Sequence, residues 1–391
     1  MNARYFSARQ SNFELLRITA MLGIILFHLV YHVALPQLAG SGEFTTVAFA
    51  KRLLLFQGIS TFGFIGNSIF ILISGYFLID KKINLQKQIT KILSSLVFGV
   101  CFLILLSFTF YYFQDQIYGL AETLLGQEFK NRGVIFGGGK IQDINEISWF
   151  LGYYICIIGI AQGFLNKRLA DISQNQFLTA LVCVGAAVTF AFTTSILKNL
   201  IGGSDYLAQV VMGVFLYMTG GYMKRYNPFK DIKIAAIIGV IILAFVFLFL
   251  GFYNTTMSNI AKFEDGTRQS FTQAIVLTGN ISAFIVVVAV SVFELFRRME
   301  IGQNKMINKI ASATVMIYIV HDVEFTYSFC RIINWPRLLH QSIIKTVVLL
   351  IIITIAIFLY GFCAFLLQQL LKRAGVQLQK LAINKDKGDK L

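Results

Sequence analysis

Residues 92–113, 234–252, 275–293 and 346–367 contain no charged side chain. Each run approaches or exceeds the ~20 apolar residues with which a helix crosses a bilayer. Such runs leave one workable architecture, because every backbone N–H and C=O inside lipid must be paired within its own segment or within a closed barrel. Three prolines and the absence of alternating ten-residue segments argue against a barrel. The fold class is therefore all-α, a polytopic integral membrane protein.

Ten spans can be drawn, at about 15–33, 60–79, 91–113, 147–165, 177–196, 206–222, 232–252, 274–296, 310–330 and 345–367. Placing the N-terminus in the cytoplasm gives the inner segments roughly a two-to-one excess of Lys and Arg, which predicts both termini cytoplasmic. Residues 1–372 form the membrane domain and 373–391 a short basic cytoplasmic tail suited to anionic headgroups. The net charge of +15 is spread through short clusters between apolar runs, so no nucleic-acid partner is expected. Five cysteines show neither CxxC nor zinc spacing and read as small apolar residues. The long loop after the third span holds Gly137-Gly138-Gly139 without a following Lys-Ser/Thr, a connector rather than a phosphate cradle.

Ionisable groups within spans are costly and usually line the bundle interior. The first span, "FELLRITAMLGIILFHLVYH", holds Glu14, Arg17, His28 and His32. At 100° per residue Arg17 and His28 share a face, about 16 Å apart in height. A snorkelling interfacial role also accounts for Arg17. His32 reads as a solvated or structural neighbour. The i,i+4 histidine pair lacks an acidic or cysteine partner in its own span, so no metal is expected. In the ninth span, "MIYIVHDVEF" puts His321 at a depth similar to that of His28, followed by Asp322 and Glu324, which are able to orient an imidazole or simply mark the span's outer end. The second span carries Ser74-Gly75, a break or a helix contact, beside Lys81 and Lys82, which suit phosphates. The fourth opens with "ISWFLGYY" at the outer interface, where Trp149 and Tyr153 suit either an aromatic belt or a sugar platform. The layout is that of a catalyst fed from both sides or of a transport path.

These phrases resemble the acyltransferase 3 family of membrane O-acyltransferases that modify bacterial surface glycans. The resemblance rests on Arg17 and His28 with ten residues between them, "IFILISGYFL", "SWFLGYY" and "IYIVHD", in that order from about residue 13 to 367. It implies acyl-CoA, usually acetyl-CoA, entering from the cytoplasm of a bacterium as acyl donor. It also implies a polysaccharide hydroxyl as acceptor, and the company of other polysaccharide-assembly proteins in the inner membrane. Arg17 and His28 carry over as the essential pair, with His321 joining them as a catalytic candidate. Arg17, Ser74, Lys81 and Lys82 are the donor-binding candidates; Trp149, Tyr153 and Glu324 are the acceptor-binding ones. The chain lacks the family's common esterase-like extra domain, so direct transfer or handover to another protein is expected. General-base catalysis and a covalent acyl-histidine remain alternatives. A transporter or flippase for a lipid-linked glycan is the competing function; the internal repeats common in that class are not evident.

Overall fold

The computed structural model describes residues 9–40, 47–82, 84–113, 115–116, 119–120, 123, 144–193, 205–263 and 282–388. Among them there are helices and no strands. In chain order the main elements are α1 (Ser11–Leu29), α2 (Leu35–Gly40), α3 (Val47–Leu78), α4 (Leu85–Tyr112), α5 (Ile144–Ile160), α6 (Asn166–Ala170), α7 (Gln174–Thr193) and α8 (Asp205–Tyr226). They continue with α9 (Ile234–Phe263), α10 (Ala283–Arg298), α11 (Lys305–Ala311), α12 (Thr314–His321), α13 (Glu324–Cys330), α14 (Trp335–Gln341) and α15 (Ile343–Gly388). Among the described residues six segments are long and apolar enough to cross a membrane: Ser11–Leu38, Leu54–Leu78, Leu85–Tyr112, Trp149–Ala170, Ile234–Asn254 and Ile343–Gln377. The protein is thus a multi-pass membrane protein. The triple glycine falls outside the described residues, and α15 runs on through 372 without a break.

Two sequence expectations change. Ser74-Gly75 does not break its span, because α3 is continuous through it. A Cβ on Gly75 would stand 2.0 Å from the Tyr217 carbonyl oxygen, and one on Gly220 would stand 2.2 Å from that of Leu72. The small residues let the backbones of α3 and α8 touch, the usual way for helices to associate where lipid removes the hydrophobic drive. The expected span 310–330 is not one helix either. It is interrupted between α11 and α12 and again at Asp322 and Val323, where the backbone leaves helical geometry (φ −93°, ψ 66° and φ −143°, ψ 148°).

The segment after α5 carries a π-helical turn, Ala161–Leu165, and α1 is irregular as well. After Leu29 it widens into a π-helical turn, Val30–Ala34, and continues as α2. Pro36 accounts for the widening, since its ring clashes with the carbonyl four residues back and offers it no N–H. That carbonyl belongs to His32, and Arg331 reaches it at 3.4 Å.

Contacts fix the registers that matter for a site. α1 and α3 run antiparallel: Phe13 packs on Tyr76 and Phe77 with ring centroids 4.9 and 5.0 Å apart. Further along, Gly66 faces the Ala20 carbonyl and Ile24, and Gly63 faces the Phe27 ring. The far end of the α5 segment is tied to the end of α3, where Asn166, just beyond the π-helical turn, donates to the Leu78 carbonyl at 2.9 Å. At that same end Arg225 of α8 pairs with Asp80 at 2.8 Å, and Phe293 of α10 packs on Phe13 at 5.3 Å.

Replacing Gly75 with Val should separate α3 from α8 and cost about 1–3 kcal/mol, as overpacking does. A Cβ added at Gly159, in α5, would meet nothing within 4 Å, so Gly159→Ala should be neutral. Thermal unfolding of the two variants in the same detergent checks this; equal melting temperatures would contradict it.

Candidate functional site

His28 sits in the last turn of α1, one residue before the helix gives way to the π turn, and is 5% exposed. Facing it is the interruption between α12 and α13, which presents His321 (1% exposed) and Asp322 (2%). Had the chain stayed helical through Asp322, its carboxylate would project about 100° away from His321 around the axis. The break lets both residues meet His28.

His28 Nδ1 lies 3.1 Å from Asp322 Oδ2, an ion-pair distance whose angle falls short of a well-directed hydrogen bond. The His28 and His321 rings stack nearly parallel, 14° between planes and 5.0 Å between centroids. His321 Nδ1 is 2.8 Å from the Tyr318 carbonyl and 3.2 Å from that of Ile317. A carbonyl only accepts, so Nδ1 carries the proton and Nε2 keeps its lone pair. That Nε2 is buried without a hydrogen-bond partner among the described residues. Asp322 Oδ1 accepts a short hydrogen bond from the Tyr327 hydroxyl, and His32 Nε2 approaches the same oxygen at 3.9 Å. His32 also stacks on the Tyr327 ring, 4.8 Å between centroids.

His32 therefore belongs to the cluster, although in sequence it read as a bystander. Tyr327 carried no sequence signal at all; only the reach of α13 back over the break brings it to Asp322. His28, His321 and Asp322 also offer ligand atoms all within 4.8 Å of one another, so the cluster has the donor set for a cation. The sequence argument against a metal considered one span, whereas the fold supplies the acidic partner from another.

At the other end of α1, Arg17 donates to both carboxylate oxygens of Glu14, at 3.0 and 3.1 Å. Glu14 is buried, while the Arg17 side chain keeps 30% of its exposure. Ser74 is buried and its hydroxyl is spent on the Phe70 carbonyl at 2.8 Å. Lys81 stands 5.8 Å over the Phe77 ring and, like Lys82, is exposed.

Trp149 opens the apolar segment Trp149–Ala170, and Tyr153 follows one turn later. They line a cleft with Asn67 and Ser68 of α3 and Gln209, Met212 and Leu216 of α8. Next to Trp149, Phe150 packs on Tyr318 at 5.0 Å, one turn short of His321. Glu324 opens α13, and its side chain lies outside the described ones.

The arrangement joins a carboxylate-paired imidazole, a second imidazole with a free lone pair and, on the same helix, an arginine about 16 Å lower. A family model described as an acyltransferase domain matches residues 10–367. No curated protein and no solved structure matches the chain. With the match covering nearly its whole length, the chain belongs to the acyltransferase 3 family, as a multi-pass membrane acyltransferase.

Proposed function

We propose that the protein transfers an acyl group, acetyl in the first instance, from cytoplasmic acyl-CoA to a hydroxyl of a cell-surface polysaccharide across the inner membrane of a bacterium. The observation that carries this reading is the pairing of buried Asp322 with His28 Nδ1. A carboxylate on one ring nitrogen leaves Nε2 as the base and stabilises the imidazolium that forms, the logic of a hydrolytic triad.

In the reaction, His28 Nε2 takes the proton from the acceptor hydroxyl as its oxygen attacks the thioester carbonyl. The tetrahedral intermediate collapses, the C–S bond breaks, and the proton passes from His28 to the departing thiolate. Products are the O-acyl glycan and free coenzyme A. His321, with its proton held on the Tyr318 carbonyl, stands beside His28 as a second basic nitrogen. Arg17 binds donor phosphate, exchanging its Glu14 contact for a charge-assisted one. Lys81, Lys82 and the Ser74 segment border the same entrance. The acceptor comes from the opposite end, past Glu324, and is handled with other polysaccharide-assembly proteins.

Ten spans with both termini cytoplasmic fit this direction of flow. The start of α1 and the ends of α3, α8 and α10 gather together, bringing Arg17, Lys81, Arg225 and Arg297 to one end of the bundle. Basic residues favour the cytoplasmic side. Residues 373–391 form the basic segment at that face.

His28→Ala should leave protein in the membrane at normal abundance and abolish O-acylation, read by NMR of the purified glycan. Persistent acylation would sink the base assignment. Asp322→Asn should lower kcat by roughly 10²–10⁴-fold, the usual worth of general-base catalysis. Tyr327→Phe removes one hydrogen bond to the carboxylate without changing ring volume and should cost about tenfold in kcat. Unaltered kcat in both would detach the carboxylate from the chemistry.

A further inference from the structure

The registers described above give the cleft at Asn67 a definite height. Phe13 is level with Tyr76 and Phe77, Gly66 with Ala20 and Ile24, and Gly63 with Phe27. Asn67 is therefore level with α1 midway between Arg17 and His28, about 8 Å from either along the axis. Whatever joins a ligand group on Arg17 to a reacting atom at His28 passes this height.

The cleft is narrow and mixed in chemistry. Its interior has room for no more than about one water molecule, within about 300 Å³ of empty space that includes its mouth. Any larger ligand must part the lining side chains, and a slender chain asks for less movement than a sugar ring. Asn67 Oδ1 is buried with no hydrogen-bond partner among the described residues. Gln209 and the Tyr153 hydroxyl add donors, and Met212 and Leu216 an apolar wall. An unpaired amide oxygen inside a membrane protein is costly and asks for an N–H.

We propose that this cleft holds the diamide arm of the acyl-CoA donor, and that Asn67 and Gln209 read its amides. The inference rests on the acyl-CoA reading of the function. The arm, which links the thioester to the nucleotide phosphates, has the length of roughly four extended residues, about 14 Å. That matches the height from Arg17 to His28, about 16 Å. Its amides lie between the ends, where N–H groups meet Asn67 Oδ1 and carbonyls meet the Gln209 amide and the Tyr153 hydroxyl. Taking a diamide from water into the bundle costs several kcal/mol unless each group finds a partner, so a donor reaching His28 from Arg17 needs amide-reading side chains at this height. Trp149 and Tyr153 thereby move from the acceptor, where the sequence put them, to the donor. A Cβ at Gly213 would stand 2.2 Å from Ile157 Cδ1 and 2.6 Å from the Tyr153 hydroxyl, so the glycine lets α8 pack closely on α5 beside the cleft.

The test uses the full-length protein in nanodiscs, with acetyl-CoA and with S-acetyl-N-acetylcysteamine, a thioester that keeps the first amide and lacks the rest of the arm. Asn67→Leu and Gln209→Leu should raise KM for acetyl-CoA at least tenfold, with acceptor KM changed less than twofold. The ratio of acetyl-CoA to short-thioester efficiency should fall at least fivefold. A rise in acceptor KM alone would give the cleft to the glycan and overturn the proposal. Unchanged KM for both substrates in both variants would overturn it as well. Failure of the acyl-CoA reading itself is distinguishable, because wild-type protein would then transfer from neither thioester.

Discussion

A carboxylate buried between membrane helices organises this protein's centre. Asp322 is 2% exposed, and an unpaired carboxylate at such a place costs several kcal/mol. The structure surrounds it with the Tyr327 hydroxyl, His28 and His32, drawn from two separate parts of the chain. Meeting that demand interrupts the ninth span at Asp322 and Val323 and draws α13 back over the break. The irregular backbone lies inside the bundle, where neighbouring side chains satisfy it, the condition under which membrane proteins tolerate it. Beside it, the π-helical turn that Pro36 imposes frees the His32 carbonyl, which Arg331 reaches.

Around this centre α3 serves as the ruler. Its glycines bring α1 and α8 to backbone contact, so heights on three helices are locked together. Arg17, the cleft at Asn67 and the histidine pair then fall in order of height. Reacting groups carried on different helices need that rigidity, because misplacing reacting atoms by an ångström costs large factors in rate. Backbone contact through glycine fixes height more firmly than flexible side chains would.

Glu14 bears on the same line from below. It neutralises Arg17 within the helix, which lowers the cost of burying part of a guanidinium and keeps it oriented.

The sequence by itself determined the class of molecule, the family, and the chemical identity of the central residues. Uncharged runs of bilayer length admit helices alone, and Arg17, His28 and His321 stand out because ionisable groups are expensive among apolar neighbours. Even the shared height of His28 and His321 was legible, since rise per residue is constant in a helix. Partnership was not. That Asp322 faces His28, that His32 and Tyr327 join them, and that Trp149 opens onto Asn67 and Gln209 all depend on contacts between helices far apart in sequence. They depend as well on two places where the helix departs from 100° per residue. Periodicity predicts which face of a regular helix a residue occupies; it fails at a π turn or a break, and those are where this protein assembled its site.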